Sequence, residues 1–302
     1  MKIMENFKSG FTAIVGRPNV GKSTLLNSLL GEKVAIITNK PQTTRNNIRG
    51  ILNLPNAQIV FIDTPGIHSP KHKLGKNMVR LAESSVADGD ISLFVISPII
   101  AKADMEIAQK LSKAGGIKFL VINKIDTINK GDILPIVDAY KEICDFKEII
   151  PISAIKGENL LDLKESIIKY LPKGPRYFPE GVLTDASDEF LIAEMIREKA
   201  LYMLHEEIPH GIAVEVMSLN RRQDKPIIDI NATLYCEKNS HKGMIIGKGG
   251  AMLKEISTRA RMDIERIYYE KINLQLWVKV KENWRDSDFM IKSLGLNFKT
   301  DK

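Results

Sequence analysis

Residues 16–24 constrain this chain more than any other segment, because they match the pattern G-x-x-x-x-G-K-[ST]. A short apolar, β-prone run at residues 11–15 precedes them, and a helical pattern that ends at Gly31 follows. Glycines let a backbone turn tightly and point several N–H groups at one anion, and the helix that follows adds the positive end of its dipole. Strand, glycine loop and helix together predict a loop that binds the phosphates of a nucleoside triphosphate.

Two side chains of this loop have specific chemistry. Lys22 can reach the β- and γ-phosphates, and the Ser23 hydroxyl can bind Mg²⁺. A chance glycine-rich turn with an exposed lysine is the alternative, and the flanking strand and helix patterns disfavour it. The whole loop is therefore the first part of the predicted nucleotide site: Gly16, Arg17, Pro18, Asn19, Val20, Gly21, Lys22, Ser23 and Thr24.

Composition limits the class of protein. A chain of 302 residues has room for two domains, and 44% hydrophobic with 27% charged residues is typical of a soluble globular protein. The N-terminus lacks the apolar core of a secretion signal, and no apolar run approaches the roughly 20 residues that span a bilayer. Cys144 and Cys236 lie far apart, as expected of incidental thiols in a reducing cytoplasm. The net charge of +7 is a weak indication of a polyanionic partner.

Apolar runs alternate with helical patterns along the N-terminal half. This alternation predicts a doubly wound α/β domain at residues 1–172, with a mixed, mostly parallel sheet and with ligands at the carboxyl ends of its strands. A hairpin is expected at residues 48–54 and 59–62, and further strands at 92–96, 119–122 and 149–152. The predicted helices between them cover residues 78–86, 104–113, 133–143 and 160–170. Residues 38–45 are polar, contain a proline and are expected to form a mobile loop.

Polar motifs follow three of the predicted strands. Asp63-Thr64-Pro65-Gly66 offers a carboxylate to position Mg²⁺ and a glycine N–H for a γ-phosphate. The run 123–126 reads N-K-x-D, and Ser153-Ala154 follows the last strand. A carboxylate at Asp126 can accept two hydrogen bonds from guanine, whereas adenine presents the opposite pattern, so Asp126 argues against an ATPase. A solvated charged loop is the alternative reading of N-K-x-D, and the ordered strand-end motifs disfavour it.

The C-terminal third has a different pattern. Residues 173–184 are rich in proline and glycine and predict a linker. Residues 185–302 predict a helix to Leu204, strands at 212–219 and 227–236, two helices around the G-x-x-G sequence at 247–250, a strand at 272–280, and a last helix with a trailing tail. Trp277 alternates with apolar neighbours and is expected to pack in the core, and Trp284 to cap the domain.

Glycines and lysines around residues 247–250 suit single-stranded RNA, because a loop without side chains lets the backbone approach phosphates closely. Residues 238–254 contain four lysines and no acidic residue. Taken alone, G-x-x-G could equally be a turn between helices; the order of the surrounding elements favours RNA binding. The predicted RNA-binding residues are Lys238, Lys242, Gly247, Lys248, Gly249, Gly250 and Lys254.

Taken in order, these motifs resemble those of the translation-factor-related P-loop GTPases, and over nearly the whole chain they resemble the bacterial Era GTPase family. The resemblance implies an α/β P-loop GTPase domain followed by a smaller α+β type II KH domain, with GTP or GDP and Mg²⁺ as cofactors. It also implies that Ser23 and Thr44 bind Mg²⁺ while Asp63 orients the ion through water. The residues it places in catalysis are Lys22, Thr44, Asp63 and Gly66.

The same resemblance assigns the base site and exposes a departure from Ras-like enzymes. It implies that Asn123 and Asp126 read guanine, that Lys124 stacks on the base, and that Ala154, next to Ser153, offers its N–H to the base oxygen. The position after the D-T-P-G motif holds Ile67, where Ras-like enzymes have a glutamine that orients water, so intrinsic hydrolysis is expected to be slow.

A monovalent cation is the candidate substitute for that glutamine. Related GTPases with asparagine at the position of Asn19 hold K⁺ there, with Thr38 and Thr43 as candidate further ligands. K⁺ would stabilise the charge that develops on the phosphates. The alternative is that Asn19 only caps the loop.

The resemblance further implies a role in maturation and assembly of the small (30S) ribosomal subunit, with the KH domain on 16S rRNA near its 3′ end. We expect a monomer that acts in the cytoplasm, with peripheral contact to the inner face of the membrane. The alternative function is a membrane-associated cell-cycle signalling GTPase whose KH-like domain contacts protein or lipid, although no basic amphipathic anchor stands out.

Overall fold

The computed structural model describes residues 6–40, 42–70 and 72–296. Contacts divide the described residues into two compact units. The first draws on Met1–Ala35, Thr44–Lys71 and Gly75–Asp185, and the second on Ile36–Thr43, His72–Leu74 and Ala186–Lys302. The predicted tail beyond Leu296 lies outside the described residues.

A six-stranded sheet forms the centre of the first unit. Its strands are β1 (Lys8–Val15), β2 (Ile48–Asn53), β3 (Ala57–Asp63), β4 (Ile91–Ile96), β5 (Ile117–Ile122) and β6 (Glu148–Pro151). Their order in the sheet is β2-β3-β1-β4-β5-β6; β2 pairs antiparallel with β3, and the other pairs are parallel. The carboxyl ends of β1, β3, β4, β5 and β6 therefore meet at one edge, where the sequence predicts the ligand.

Helices connect these strands, as the alternating pattern predicts. They are α1 (Lys22–Leu30), α2 (Lys73–Asp88), α3 (Lys102–Ser112), α4 (Ile133–Lys141) and α5 (Leu160–Tyr170). Every residue of β3 and β4 is buried, which explains why these strands are apolar almost throughout rather than alternating. Gly31 ends α1 with a left-handed backbone and donates its N–H to the Asn27 carbonyl, so the predicted C-cap is confirmed.

Residues 173–184, the predicted linker, lie along the first unit. The side-chain oxygen of the buried Gln58 accepts hydrogen bonds from the backbone N–H groups of Tyr177 and Phe178 at 2.7 and 3.0 Å. The Ile51 N–H in β2 donates to the Leu183 carbonyl at 2.8 Å. Irregular backbone thus satisfies its hydrogen bonds here against β2 and β3. The linker role of this segment stays a prediction.

The second unit has the element order that the sequence predicts. Its elements are α6 (Asp188–Met203), β7 (Ala213–Arg221), β8 (Ile227–Cys236), α7 (Asn239–Ile246), α8 (Ala251–Tyr268), β9 (Lys271–Val280) and α9 (Asp288–Ser293). In the three-stranded sheet β7-β8-β9, β7 and β8 are antiparallel and β8 and β9 are parallel. Ser187 caps α6 by accepting a hydrogen bond from the Phe190 N–H.

One core holds the second unit together. It contains Ile196 of α6, Ile256 of α8 and Val278 of β9, and Ile36 joins it from the segment Ile36–Thr43. Trp284 is fully buried and its indole N–H donates to the Gly211 carbonyl at 2.8 Å, in keeping with a capping position. The expectation for Trp277 is wrong: its side chain is 61% exposed, because the other face of β9 packs against the core.

None of the helices in the described part of the chain is both long enough and apolar enough to cross a membrane.

Candidate nucleotide site and glycine loop

The phosphate loop joins β1 to α1, and two of its glycines are required by close contacts. Gly16 has φ +150°, and a Cβ there would lie 2.2 Å from the Val95 carbonyl oxygen. Gly21 has φ +97°, and a Cβ there would lie 2.3 Å from the side-chain nitrogen of Asn123. A side chain at either position would collide with a neighbouring strand end or loop. The G-x-x-x-x-G spacing is therefore a steric requirement of this turn.

The loop curls around the side chain of Lys22, the first residue of α1. Its Nζ donates to the carbonyl oxygens of Gly16 at 3.1 Å and Arg17 at 2.8 Å. Burial lowers the pKa of Lys22 to about 8, while the negative charges of Asp63 and Asp104 oppose this shift. The ammonium group lies inside the predicted phosphate loop. A bound phosphate would supply the negative charge that stabilises the charged form of this buried lysine.

Three side-chain oxygens converge beside Lys22. The Ser23 hydroxyl donates to Asp63 Oδ2 at 2.7 Å and lies 2.9 Å from the Thr44 hydroxyl, which is 3.3 Å from the same carboxylate oxygen. Asp63 is fully buried, burial raises its pKa, and its Oδ1 has no hydrogen-bond partner among the described residues. Hard oxygen ligands and an unpartnered buried carboxylate oxygen fit Mg²⁺. The residues present therefore suit the ion that the sequence implies.

The D-T-P-G segment lies directly on the phosphate loop. Thr64 donates its hydroxyl hydrogen to the Ile14 carbonyl at 2.8 Å, and the Ile67 N–H donates to the Gly16 carbonyl at 3.1 Å. A Cβ on Gly66 would lie 2.7 Å from the backbone nitrogen of Pro18, so only glycine fits there. The Ile67 side chain packs against the hydrophobic core and brings no hydrogen-bonding group to this position.

The N-K-x-D motif is tied to both neighbouring motifs through Asn123. Its amide nitrogen donates to the Val20 carbonyl at 2.9 Å, and its amide oxygen accepts from the N–H groups of Lys124 and Ala154 at 2.8 and 3.0 Å. Asn123 is 2% exposed, and its side chain links the three segments that contain Val20, Lys124 and Ala154. Lys124 has a left-handed backbone, and its Nζ donates to the Asn19 carbonyl at 2.7 Å.

Asp126 lies at the open side of this arrangement. Its Oδ1 accepts a hydrogen bond from the Ser153 hydroxyl at 2.6 Å, and the residue is exposed. One hydroxyl holds the carboxylate in place, and the residue remains exposed to solvent. This is the arrangement that a guanine-reading carboxylate needs.

The structure brings the predicted nucleotide-site residues together at the carboxyl edge of the first sheet. They are Gly16, Arg17, Pro18, Asn19, Val20, Gly21, Lys22, Ser23, Thr24, Thr44, Asp63, Thr64, Pro65, Gly66, Ile67, Asn123, Lys124, Asp126, Ser153 and Ala154.

Sequence reasoning missed one residue that holds the loop. Asp104, in the first turn of α3, is fully buried and accepts a hydrogen bond from Arg17 Nε at 2.6 Å. Burial raises the pKa of the Asp104 carboxyl, while the Arg17 guanidinium opposes the rise. Arg17 also lies 3.4 Å from the Ser97 hydroxyl. Its guanidinium is thus anchored to α3, and its backbone rather than its side chain is what lines the phosphate loop.

The candidate cation ligands Thr38 and Thr43 lie in the second unit, in the segment Ile36–Thr43. Their hydroxyl oxygens are 2.8 Å apart, and the Thr43 hydroxyl donates to the Lys40 carbonyl at 2.6 Å. Arg197 of α6 donates to the Thr43 carbonyl, and the Ile37 N–H donates to Glu198 at 2.9 Å. This segment is therefore anchored to α6 by both backbone and side-chain contacts.

The G-x-x-G loop links α7 to α8 through backbone that suits glycine. Gly247, Gly249 and Gly250 have φ of +73°, +59° and +80°. A Cβ on Gly247 would lie 2.7 Å from Met252 Cβ, whereas Gly249 and Gly250 face open space. The loop ends at the N-terminus of the 18-residue helix α8, which favours an anion there.

Lysines surround this loop. Lys238, Lys248 and Lys254 are exposed and Lys242 is half-buried. None of the four forms an ion pair with any residue that the structure describes. The loop therefore combines accessible backbone, a helix N-terminus and uncompensated positive charge, the combination that phosphates of a single strand require.

Comparison with known proteins gives the same two parts. Residues 11–124 match the family described as "50S ribosome-binding GTPase", and residues 207–285 match the family "KH domain". The chain is 54% identical over 290 residues to the GTPase Era of Clostridium kluyveri, covering 95% of this chain and 99% of that one. It is 53% identical to the GTPase Era of Clostridium novyi, covering 96% and 99% of the two chains.

Solved structures agree over the same length. One is of Era in complex with MgGDPNP and nucleotides 1506–1542 of 16S ribosomal RNA; it has a TM-score of 0.93 and 43% identity and covers 96% of this chain and 99% of that one. Another is an Aquifex aeolicus Era variant bound to GDP and AlF4⁻, with a TM-score of 0.92, 42% identity and the same coverage.

Proposed function

This chain belongs to the Era family of GTPases, and we propose that it is a GTP-hydrolysing switch that binds 16S rRNA near its 3′ end and acts in maturation and assembly of the 30S subunit. The observation that carries this proposal is the presence, in one chain, of a complete set of guanine-nucleotide motifs in contact with one another and a lysine-rich G-x-x-G loop. The related Era structure with MgGDPNP and 16S rRNA supports the same pairing of ligands.

Phosphate binding follows from the geometry around Lys22. A nucleotide's phosphates would replace the loop carbonyls as partners of the Lys22 ammonium, and the N–H groups at the start of α1 would surround them. Ser23 and Thr44 offer hydroxyl oxygens to Mg²⁺, and the fully buried Asp63 would orient the ion. Mg²⁺ supplies the charge that neutralises the β- and γ-oxygens.

Base recognition would fall to Asp126, Lys124 and Ala154. Asp126 accepts hydrogen bonds from guanine, and the Lys124 side chain reaches the Asn19 carbonyl in the phosphate loop. The Ala154 N–H, which donates to Asn123 in this structure, would exchange that acceptor for the base oxygen. Asn123 thereby contributes by holding three loops in register as well as by any contact of its own with the base.

Hydrolysis requires a group that Ile67 cannot provide. K⁺ bound by Asn19 would place a positive charge beside the phosphates. Asn19 lies in the phosphate loop with φ +65°, a left-handed conformation that asparagine tolerates.

RNA binding is assigned to the G-x-x-G loop and to the four lysines around it. A loop of this kind clamps about four nucleotides of backbone. The RNA fragment in the related Era structure is 37 nucleotides long, from 1506 to 1542. An RNA of that length extends well past one such loop, so the remaining nucleotides are available to other surfaces.

Three further expectations remain proposals: a monomeric state, a cytoplasmic place of action, and peripheral contact with the membrane. The alternative function, a membrane-associated signalling GTPase, is not favoured by any contact in the structure. A vesicle arm in the RNA experiment distinguishes the two.

The experiment compares two double variants of the full chain that change charge equally. Lys248→Asp with Gly249→Asp puts acid into the exposed part of the loop, where Gly249 has open space and a backbone that aspartate tolerates. Lys292→Asp with Gly295→Asp is the matched control, since Gly295 also has open space and a positive φ of 69°. Binding to the 37-nucleotide RNA and to phosphatidylglycerol vesicles is measured by anisotropy and by sedimentation.

We expect the loop variant to lose about a hundredfold in RNA affinity, because repulsion replaces several phosphate contacts, and the control to lose less than about threefold. GDP binding should be unchanged in both. Equal RNA affinities for the two variants would contradict the assignment of RNA binding to the G-x-x-G loop. Binding of the parent chain to vesicles but not to RNA would favour the alternative function.

A further inference from the structure

The outer face of β9 differs from the rest of the second unit. Strand alternation places five consecutive odd-numbered residues on it, and all five are exposed: Lys271, Asn273, Gln275, Trp277 and Lys279. The even-numbered residues, such as Ile272 and Val278, face the core that α7 and α8 help to form. The G-x-x-G loop and this strip therefore belong to opposite sides of the sheet.

Trp277 is the main apolar group of the strip. Its 61% exposure contrasts with the full burial of Trp284, the other tryptophan of the chain. A single exposed apolar residue is ordinary in itself. What sets Trp277 apart is its position between an amide, Gln275, and an ammonium, Lys279, on the same face of one strand.

The acidic side chains on this face are engaged by neighbours, whereas its lysines are not, so the uncompensated charge is positive. Asp229 on the neighbouring strand accepts two hydrogen bonds from Arg222 and one from Asn273, each at 2.7 Å, and these partners lower its pKa to about 2. Glu215 accepts the Tyr235 hydroxyl hydrogen at 2.8 Å. Both carboxylates are thus engaged within the sheet.

The lysines have no such compensation. Lys271 and Lys279 form no ion pair with any residue in the described ranges, and the side-chain amide of Gln275 has no hydrogen-bond partner among those residues. The strip offers two ammonium groups, the unengaged side-chain amide of Gln275 and an aromatic ring along one strand.

We propose that the outer face of β9 is a second contact surface for single-stranded RNA, in which Trp277 stacks on a base, Gln275 hydrogen-bonds a base edge, and Lys271 and Lys279 contact phosphates. Aromatic rings on a sheet face with flanking lysines are the general solution for unpaired bases. A membrane surface would not use the amides, and a protein partner would not require both lysines to be uncompensated.

This inference rests on the proposed RNA-binding function and extends it. The loop on one side of the sheet would hold a few nucleotides of backbone, and the strip on the other side would hold a more distant stretch of the same strand. Short RNAs would occupy the loop alone, and only a longer RNA would reach both surfaces. The experiment therefore compares the affinity for a short RNA with the affinity for a long one.

The test measures affinity of the full chain for an RNA of about six nucleotides, little longer than one loop clamps, and for the 37-nucleotide fragment. The variants are Trp277→Ala, Trp277→Phe, and Tyr202→Ala as a matched control, because Tyr202 is an equally exposed aromatic residue (70%) on α6. Replacing an exposed side chain leaves the core intact, so each variant should fold.

We expect Trp277→Ala to weaken binding of the long RNA about tenfold, ~1.4 kcal/mol, with Trp277→Phe close to the parent and Tyr202→Ala unchanged. Binding of the short RNA should not change in any of them. The long RNA should also quench the tryptophan emission of the parent chain and protect it from iodide, since buried Trp284 contributes little to such quenching.

Equal long-RNA affinities for Trp277→Ala and the parent would overturn the inference while leaving the loop assignment intact. A loss that appears equally with the short RNA would also overturn it, because the strip would then not be a separate contact. Quenching by phosphatidylglycerol vesicles and none by RNA would assign the strip to a membrane surface and would likewise overturn it. Failure of the parent chain to bind either RNA is the distinct result that rejects the proposed function itself.

Discussion

Lys22 shows how burial sets the chemistry of a single residue in this protein. Among the residues that the structure describes, its ammonium group has only carbonyl oxygens of its own loop as hydrogen-bond partners, and its pKa is about 8 instead of 10.5. Because the folded value lies below the unfolded one, the charged lysine costs the free protein stability at pH values below about 8. That cost disappears as the pH rises between the two values. Bound phosphate would offset this cost by pairing with the ammonium group, so that Lys22 stays charged.

Nucleotide binding should therefore take up protons near pH 8. About half of the Lys22 side chains are neutral in the free protein at that pH, and phosphate would protonate them. We expect uptake of about half a proton per GDP bound, and an affinity that falls as the pH rises above 8. Calorimetry in two buffers of different ionisation enthalpy measures the uptake, and the same heat in both buffers would contradict a Lys22 pKa near 8 in the free protein.

Asn19 and Ile67 together predict a dependence on monovalent cations. GTP turnover should be several-fold faster in K⁺ than in Na⁺ of the same ionic strength, because Na⁺ is too small to replace K⁺ among the same oxygens. Asn19→Ala should abolish the difference while leaving GDP affinity within about twofold to threefold. Equal turnover of the parent chain in the two salts would show that no such cation takes part.

Asp126 predicts the base specificity. Asp126→Asn should lower GTP affinity by about 100-fold or more, because an amide presents a donor to the guanine N–H groups, and it should raise affinity for xanthosine triphosphate. Competition against a fluorescent guanine nucleotide measures both values. GTP affinity that survives this substitution unchanged would rule out Asp126 as the base-reading residue.

The sequence predicts secondary-structure elements well where every residue of the element is buried. The fully buried β3 and β4 appear as nearly continuous apolar runs, and helix caps such as Gly31 and Ser187 mark the ends of elements. For β9 the period of two is correct, but periodicity does not say which face is buried, and Trp277 was assigned to the wrong one. Size and hydrophobicity favour a buried position for Trp277, but α7 and α8 cover the opposite face of β9.

Asp104 was missed for a related reason. An acidic residue in the first turn of a helix is expected from the helix dipole alone, so its sequence position carries no sign of a buried partner. Its role emerges only when α3 and the phosphate loop are seen to meet through Arg17. Gln58 is a similar case. It directly precedes the predicted strand at residues 59–62, and its sequence position does not show that it lies buried in β3 and accepts hydrogen bonds from the backbone N–H groups of Tyr177 and Phe178.

The segment Ile36–Thr43 provides a stability test at the scale of one element. Ile36 is 3% exposed within the core of the second unit, while the Ile37 side chain is 43% exposed. Ile36→Ala should lower the free energy of unfolding of that unit by ~2–4 kcal/mol, because a buried side chain is removed and a cavity is left. Ile37→Ala is the matched control and should change it by less than ~0.5 kcal/mol.

Urea unfolding followed by tryptophan emission measures both variants, since both tryptophans, Trp277 and Trp284, belong to the second unit. Similar midpoints for Ile36→Ala and Ile37→Ala would mean that this segment is not part of the core in solution.

For the whole molecule, the division into two units frames how a switch would work. Thr44 lies with Ser23 and Asp63 in the first unit, and the residues immediately before it in the chain are assigned to the second. We expect Mg-GTP to fix Thr44 and thereby restrict the preceding segment. Through Ile36, Glu198 and Arg197 that segment is anchored in the unit that carries the G-x-x-G loop. If bound nucleotide changes the affinity for RNA by some factor, bound RNA changes the affinity for that nucleotide by the same factor.

The most direct test of this account is the affinity of the full chain for the 37-nucleotide 16S rRNA fragment, measured by anisotropy with saturating Mg-GDPNP and again with saturating Mg-GDP. We predict about tenfold tighter binding with Mg-GDPNP, ~1.4 kcal/mol of coupling, and a loss of that binding in the Lys248→Asp, Gly249→Asp variant. The same affinity in both nucleotide states would contradict the claim that GTP controls RNA binding in this protein.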